Sequence, residues 1–177
     1  MARSAYVLNN TGICPIIPPA GILMASNPKS SIGDMHCNAT ALRKASRRVT
    51  QLYDDALLQT GLRSTQLAIL AEIAHASEKP LTMAELAAVL VIERSALGHT
   101  LRPLERDGLI VLQEGEDRRQ RHVVLTPKGK AKCREGVRAW QTAQDRFEEV
   151  LGRSAANALR SRLLSLAYND RLTKLKD

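Results

Sequence analysis

The sequence predicts a mainly α chain with one small β-hairpin, and three observations carry that class. Apolar residues recur at i, i+3 and i+4 through most of the chain after residue 36, β-prone runs are confined to two short stretches between residues 109 and 125, and Gly, Pro and Ser punctuate the joints. A chain of 177 residues with 44% apolar and 25% charged content suits one compact domain, or one domain with appendages, and excludes disorder throughout. No run approaches the roughly 18 uninterrupted apolar residues of a membrane-spanning helix. With 3% aromatic residues, the chain offers few platforms for stacking the bases of single-stranded RNA.

Residues 1–34 are rich in Pro, Gly, Ser and Asn without sustained periodicity, which predicts a flexible arm. Its apolar patch at residues 13–23 is interrupted by Pro15, Pro18 and Pro19, and a single Arg3 is a thin basic region for a signal peptide. Met35 closes the arm directly before the first helix, so natural initiation is expected near Met24 or Met35. In the segment 35–61, Ala41, Leu42, Ala45, Val49, Leu52 and Ala56 mark one face of a long helix over residues 37–60, and Gly61 is its stop.

The segment 62–126 opens with Ser64, expected to cap a second helix that carries Leu67, Leu70 and Ile73 and ends before residues 77–80. Thr82 and Glu85 then form a capping-box pattern, hydroxyl and carboxylate three residues apart, for a short third helix holding Leu86, Ala87 and Leu90. A fourth helix starts near Glu93 and carries Leu97, Leu101 and Leu104. Residues 109–112 and 122–125 flank Gly115, Glu116 and Asp117 and read as a two-stranded hairpin. In the segment 127–177, Thr126 caps and Pro127 opens a helix through Val137, Trp140 and Phe147. A last helix, from Ala155 to about Lys174, repeats Leu159, Leu163 and Leu166. This order is the layout of a winged helix-turn-helix with additional N- and C-terminal helices, whose apolar stripes are too extensive for one small domain to cover.

The net charge of +8 is spread along the chain, with no basic tail. Arg118, Arg119, Arg121, Lys128, Lys130 and Lys132 nevertheless stand together, with Arg134 just beyond and no acidic residue between Arg118 and Arg134. Such a cluster attracts polyanions.

The stretch LTMAELAAVL at residues 81–90, Glu93-Arg94-Ser95, LERDGLI at residues 104–110, and Asp117-Arg118-Arg119 followed by VLTPKG at residues 124–129 together resemble the MarR family of transcriptional regulators. The resemblance covers approximately residues 36–175 and is most specific over 81–129. It implies a homodimer whose outer helices, residues 37–60 and 127–174, interlock while each winged helix projects onto double-stranded DNA. The partner expected is a pseudo-palindromic operator with half-sites about 10 bp apart.

A helix-turn-helix presents the N-terminal part of its second helix to base edges. Here that part is Arg94, Ser95, Ala96, Gly98 and His99, with Thr100 and Arg102 one turn later. Arg94 or Arg102 can fork onto guanine O6 and N7, Ser95 and His99 can bond a phosphate or a base, and Gly98 lets the backbone come close. The alternative is that both arginines are simply solvated. Arg118, Arg119 or Arg121 at a wing tip can enter a narrow minor groove, and the resemblance implies that Asp117 braces Arg119; otherwise these residues are a solvated loop tip. Lys128 and Lys130 either meet phosphates or stand in water.

Four departures from the family pattern matter. Val91 stands where glycine is frequent in the helix-to-helix turn, and a left-handed β-branched residue costs about 1 to 3 kcal/mol, so another turn geometry is expected. Pro103 removes an amide donor inside the proposed recognition helix and predicts a kink after Thr100. Leu112 replaces a common basic residue on the first hairpin strand, and the wing is about one residue short.

Many relatives bind small aromatic acids between dimer helices and winged domain, which makes Arg43 and Arg47 candidates for holding an effector carboxylate; with Lys44 and Arg48 they equally form a solvated face. Tyr53, Trp140 and Phe147 read as packing residues. The rival mechanism is thiol sensing through Cys37, although the first-helix alignment puts Ala45 where peroxide-sensing relatives carry the reactive thiol. An architectural DNA binder without base readout is a further alternative. Three widely spaced cysteines suit a reducing cytoplasm and argue against a disulfide framework, and His75, His99 and His122 lack metal-ligand spacing. No cofactor and no enzymatic activity is expected: the chain lacks a phosphate-cradling glycine loop, H-E-x-x-H and G-x-S-x-G.

Overall fold

The first apolar-periodic stretch folds as helix α1 (Asn38–Leu57) in a computed structural model that describes residues 37–115 and 120–172. The chain divides into two units, Met1–Ala41 and Leu42–Asp177; of the first, only residues 37–41 are described. A 3₁₀ turn (Leu58–Thr60) ends at Gly61, whose φ of 69° is the left-handed conformation glycine adopts without a Cβ clash. Thr60 is buried, with its hydroxyl donating to the Leu57 carbonyl at 2.6 Å and accepting from the Leu62 amide at 3.2 Å.

Helix α2 (Ser64–His75) begins differently from the expected cap. Ser64 is its first residue, and the Asp54 carboxylate of α1 accepts the Ser64 amide at 2.7 Å while pairing with Arg63 at 3.4 Å. Partial burial pushes the Asp54 carboxyl up, but the bonds from Ser64 and the Arg63 guanidinium outweigh it and hold the group below its ordinary value. A cap borrowed from ten residues upstream is a tertiary contact that local spacing does not announce.

Helix α3 (Met83–Val89) starts with the expected capping box: the Glu85 amide donates to Thr82 Oγ1 at 3.2 Å and the Thr82 amide to Glu85 Oε2 at 2.8 Å. Helix α4 (Arg94–Arg106) follows, and the kink expected after Thr100 does not end it. Pro103 deprives the His99 carbonyl of its helical donor, yet Leu101 and Leu104 on either side are buried and hold the turn in place. Strands β1 (Ile110–Glu114) and β2 (Arg121–Leu125) pair antiparallel with Ile110 opposite Leu125 and Glu114 opposite Arg121. They run further toward the tip than the apolar stretches suggest. The Val123 amide also donates to the Leu81 carbonyl at 2.9 Å, and Thr82 bridges His122, so the hairpin gains a one-residue third partner that the sequence reading missed.

Helix α5 (Pro127–Leu151) opens as expected, with Thr126 Oγ1 accepting the Gly129 amide at 2.9 Å and Pro127 at the first position, where its missing N–H costs nothing. Gly152, at φ 83°, separates it from α6 (Arg153–Ala167). The last helix therefore starts two residues earlier than expected and stops at Ala167, well short of Lys174; a 3₁₀ turn (Asp170–Leu172) follows.

The core lies where α2, α3, α4, the hairpin and the start of α5 converge, with Leu57, Leu70, Leu86, Leu97, Leu104, Ile110 and Val123 all but inaccessible. A Cβ on Gly136 would lie 2.7 Å from Leu67 Cδ1, and one on Gly129 would overlap the Leu109 carbonyl oxygen. The two glycines are thus where α5 seats against α2 and the root of the hairpin. Tyr53 of α1 tilts against Trp140 at 6.3 Å between ring centroids and donates to Gln144 at 2.8 Å. Gln144 in turn donates to Glu148, which pairs with Arg153 at 3.2 Å, linking α1, α5 and α6.

Because the obstacle at Gly129 is backbone, Gly129→Ala is expected to cost about 3 kcal/mol, read as a lower denaturant midpoint with an unchanged slope. Asp54→Asn is expected to cost about 1 kcal/mol at neutral pH. The Asp54 contribution is complete above the usual carboxylate pKa of about 3.9 and is lost as pH falls through its lowered folded value, so the gap between wild type and variant should close in acid.

Candidate nucleic-acid interface

The three buried leucines of α4 set its rotation. With Leu97, Leu101 and Leu104 inward, the 100° step per residue turns Ser95, His99, Arg102 and Arg106 to the opposite side. Arg94, Ser95, Ala96, His99 and Arg102 are exposed, and Gly98 and Thr100 lie half-buried at the flanks. The Thr100 hydroxyl is turned back onto the Ala96 carbonyl at 3.0 Å. A Cβ on Gly98 would meet nothing within 4 Å, so no packing inside the chain demands glycine there. Among the described residues, no ion pair engages Arg94, His99 or Arg102.

Arg106 was not among the residues singled out from the sequence, although its 95–99–102–106 spacing places it on the same stripe. It pairs with Asp107 at 3.3 Å. Lys128 is exposed, and its ammonium donates to the Asp107 carbonyl at 2.8 Å, a bond at the C-terminal end of α4 that the sequence does not announce.

The turn between α3 and α4 corrects the expectation for Val91. Val91 does adopt the left-handed conformation, at φ 53°, as the only non-glycine residue with positive φ among the described residues. Two bonds hold it: the Ile92 amide donates to the Ala87 carbonyl at 3.0 Å and the Val91 amide to the Ala88 carbonyl at 3.1 Å, the Schellman pattern that closes a helix. The turn is the left-handed one that glycine adopts without a Cβ clash, and a β-branched residue carries its strain. Tyr168, beyond α6, donates to the Val89 carbonyl at 2.7 Å and ties the C-terminal segment to the same turn.

On the hairpin, Arg121 is exposed opposite Glu114, with no ion pair between them within 4 Å, and the Gly115 amide donates to the Gln120 carbonyl at 2.9 Å. Asp117, Arg118 and Arg119 lie outside the described residues. Arg43 and Arg47 are exposed along α1. Cys37 is half-buried immediately before α1, its carbonyl accepting the Ala41 amide at 3.0 Å. Cys133 is buried in α5, and burial pushes its thiol up, against a smaller opposing pull from Arg134. Among the described residues no group of three or more His, Cys, Asp or Glu comes together to hold a metal, and no helix is long and apolar enough to cross a membrane.

A helix pair joined by a tight turn, its second helix presenting an exposed basic face beside a hairpin, defines a winged helix-turn-helix protein. Comparison with known proteins gives the family. The MarR family profile matches residues 60–120. A structure of the Mycobacterium tuberculosis transcriptional regulator MosR in complex with DNA is 32% identical, covers 78% of this chain and 99% of its own, and superposes with a TM-score of 0.70. The transcriptional repressor CouR bound to a 23-mer DNA duplex is 29% identical over 78% of this chain and 99% of its own, with a TM-score of 0.68. Escherichia coli MarR in its apo form, at 21% identity, 73% and 96% coverage and a TM-score of 0.60, shares the fold. No curated protein matches the chain. The chain belongs to the MarR family of transcriptional regulators.

Val91→Gly is expected to relieve the strained turn and raise stability by about 1 kcal/mol after the added flexibility of glycine in the unfolded chain. Thermal melts of the two proteins check it; a variant that melts at or below the wild-type temperature would show the turn to be relaxed.

Proposed function

We propose that this protein is a homodimeric repressor that binds a pseudo-palindromic duplex through α4 and the hairpin and is released by a small effector. The observation that carries the reading is the outward face of α4, where Arg94, His99 and Arg102 have no ion-pair partner among the described residues while the opposite face is locked in the core. In this reading Arg94 and Arg102 contact bases or phosphates, Ser95, Ala96, Gly98, His99 and Thr100 complete the surface entering the major groove, and Arg121 with Arg118 and Arg119 reaches the minor groove, Asp117 bracing Arg119. The DNA complexes of MosR and CouR favour it.

Self-association is supported by apolar surface that one chain leaves uncovered. Leu42 on α1 and Leu159, Leu163, Leu164 and Leu166 on α6 are exposed although they sit at helical spacing, and α6 buries only Ala156. Unpaired apolar stripes of that extent fit a partner helix better than water. Residues 35–61 and 127–177 accordingly form the dimerising frame, and residues 62–126 the part that meets DNA. The structure of CouR with p-coumaroyl-CoA, a 20% identical relative, favours an effector-released repressor over an architectural binder.

Sequencing DNA selected by the purified dimer, followed by salt titration of the winning sequence, tests the proposal. Arg102→Ala should relax preference at one base position and cost about 1 to 3 kcal/mol there, whereas Arg119→Ala should weaken all sequences alike and reduce the salt slope by about one. Equal affinity for unrelated DNA, or a monomer by sedimentation, would overturn it.

A further inference from the structure

The turn that delivers α4 has little packing to hold it. Val91 and Ile92 are exposed, at 52% and 38%, and Val91 is strained at φ 53°. The geometry of the turn therefore rests on hydrogen bonds. The Schellman pair uses the Ala87 and Ala88 carbonyls, and the Leu90 amide takes the Leu86 carbonyl at 3.0 Å. α3 ends at Val89, and among the described residues no backbone amide reaches the Val89 carbonyl, one of the acceptors that a helix leaves open at its C-terminus.

That acceptor is met from 79 positions away by the Tyr168 hydroxyl, which donates to it at 2.7 Å. The tyrosine is itself well anchored. Its amide donates to the Leu164 carbonyl at 3.1 Å, which fixes its backbone to the last turn of α6, and the Asn169 side-chain oxygen accepts the Arg171 amide at 3.1 Å and shapes the chain that follows. α6 buries only Ala156, and its ion pairs with Glu148 are made by Arg153 and Arg160, toward its start. At its far end it returns to the joint between α3 and α4 through the Tyr168 hydroxyl. The ring is more than half exposed and gains little from burial, so the hydroxyl is the part of this side chain that acts on the turn.

We propose that Tyr168 is a positioning residue for sequence reading: by filling the Val89 carbonyl it narrows the angles at which α4 leaves the turn. The inference rests on the reading of α4 given above. Hydrogen bonds to base edges demand a fixed geometry, whereas attraction to phosphates tolerates a helix that rocks. Loss of the hydroxyl accordingly costs discrimination between sequences and leaves the electrostatic part of binding in place.

The test uses the full chain and Tyr168→Phe, which removes one oxygen atom from an exposed side chain. Tyr53→Phe is the comparison, because it breaks the tyrosine bond to Gln144 and leaves the turn alone. Amide hydrogen exchange is measured first, without DNA. Tyr168→Phe should speed exchange at Val91 and Ile92 about threefold, the scale of one modest hydrogen bond, with Leu70 and Leu104 unchanged. Tyr53→Phe should leave Val91 and Ile92 as they are. The proteins are then titrated with the duplex that the wild type selects and with an unrelated duplex of equal length. Tyr168→Phe should lose about threefold in affinity for the selected duplex, with its affinity for the unrelated duplex and its salt slope unchanged. Unaltered exchange at the turn, or the same change in Tyr53→Phe, would overturn the proposal. Equal losses on both duplexes would do so too, since they mark a merely structural effect. A wild type that selects no sequence overturns the reading of α4, and this proposal with it; a selective wild type matched by an equally selective Tyr168→Phe overturns the proposal alone.

Discussion

The burial of Leu97, Leu101 and Leu104 is the constraint on which the rest of the structure depends. These side chains are within 3% of complete inaccessibility, and each contributes on the order of 1.5 to 3 kcal/mol by leaving water. A helix pinned at three points over two turns has no rotational freedom left. Its polar residues point outward because any other rotation would sink an arginine into the core, where an unpaired charge costs far more than the leucines gain. The position of the basic face is thus decided by apolar packing, and its chemistry is left open to whatever duplex it meets.

Both ends of that helix are held by other parts of the chain. At the N-terminal end the Schellman bonds around Val91 fix the angle of entry, reinforced by the Tyr168 hydroxyl on Val89. At the C-terminal end Lys128 and Thr126 gather the Asp107, Gly108 and Leu109 carbonyls. Strain at Val91 is tolerable because several bonds over-determine the turn. The C-terminal segment and the start of α5 therefore bear directly on α4, which gives a physical route from the outer helices to the DNA-facing surface without any long chain of intermediates.

Much of this was legible in sequence, and what was not has a common cause. The Thr82–Glu85 box, the Thr126–Pro127 helix start, the Gly61 stop and the phase of α4 depend on residues within four positions of one another, so spacing alone displays them. The Asp54 cap on α2, the bridge from Leu81 to Val123 and the Lys128 bond to Asp107 join residues 10 to 42 positions apart. No periodicity encodes such contacts. Val91 failed for a different reason: intrinsic cost was weighed without the hydrogen bonds that offset it. Pro103 sits inside a helix that continues to Arg106, between the buried Leu101 and Leu104.

The same distinction explains why the candidate residues on α4 could be named from the sequence while the cavity between α2, β2 and α5 could not. A face of one helix is a local object, fixed once its buried stripe is known. A cavity exists only after three distant segments meet, and Lys130, Arg134 and Arg138 read in isolation as ordinary solvated charges on a surface helix. Their meaning changes when α2 and β2 supply an apolar wall beside them and no carboxylate arrives to pair with them. Unmatched charge next to unfilled apolar space is a combination that stability alone does not favour.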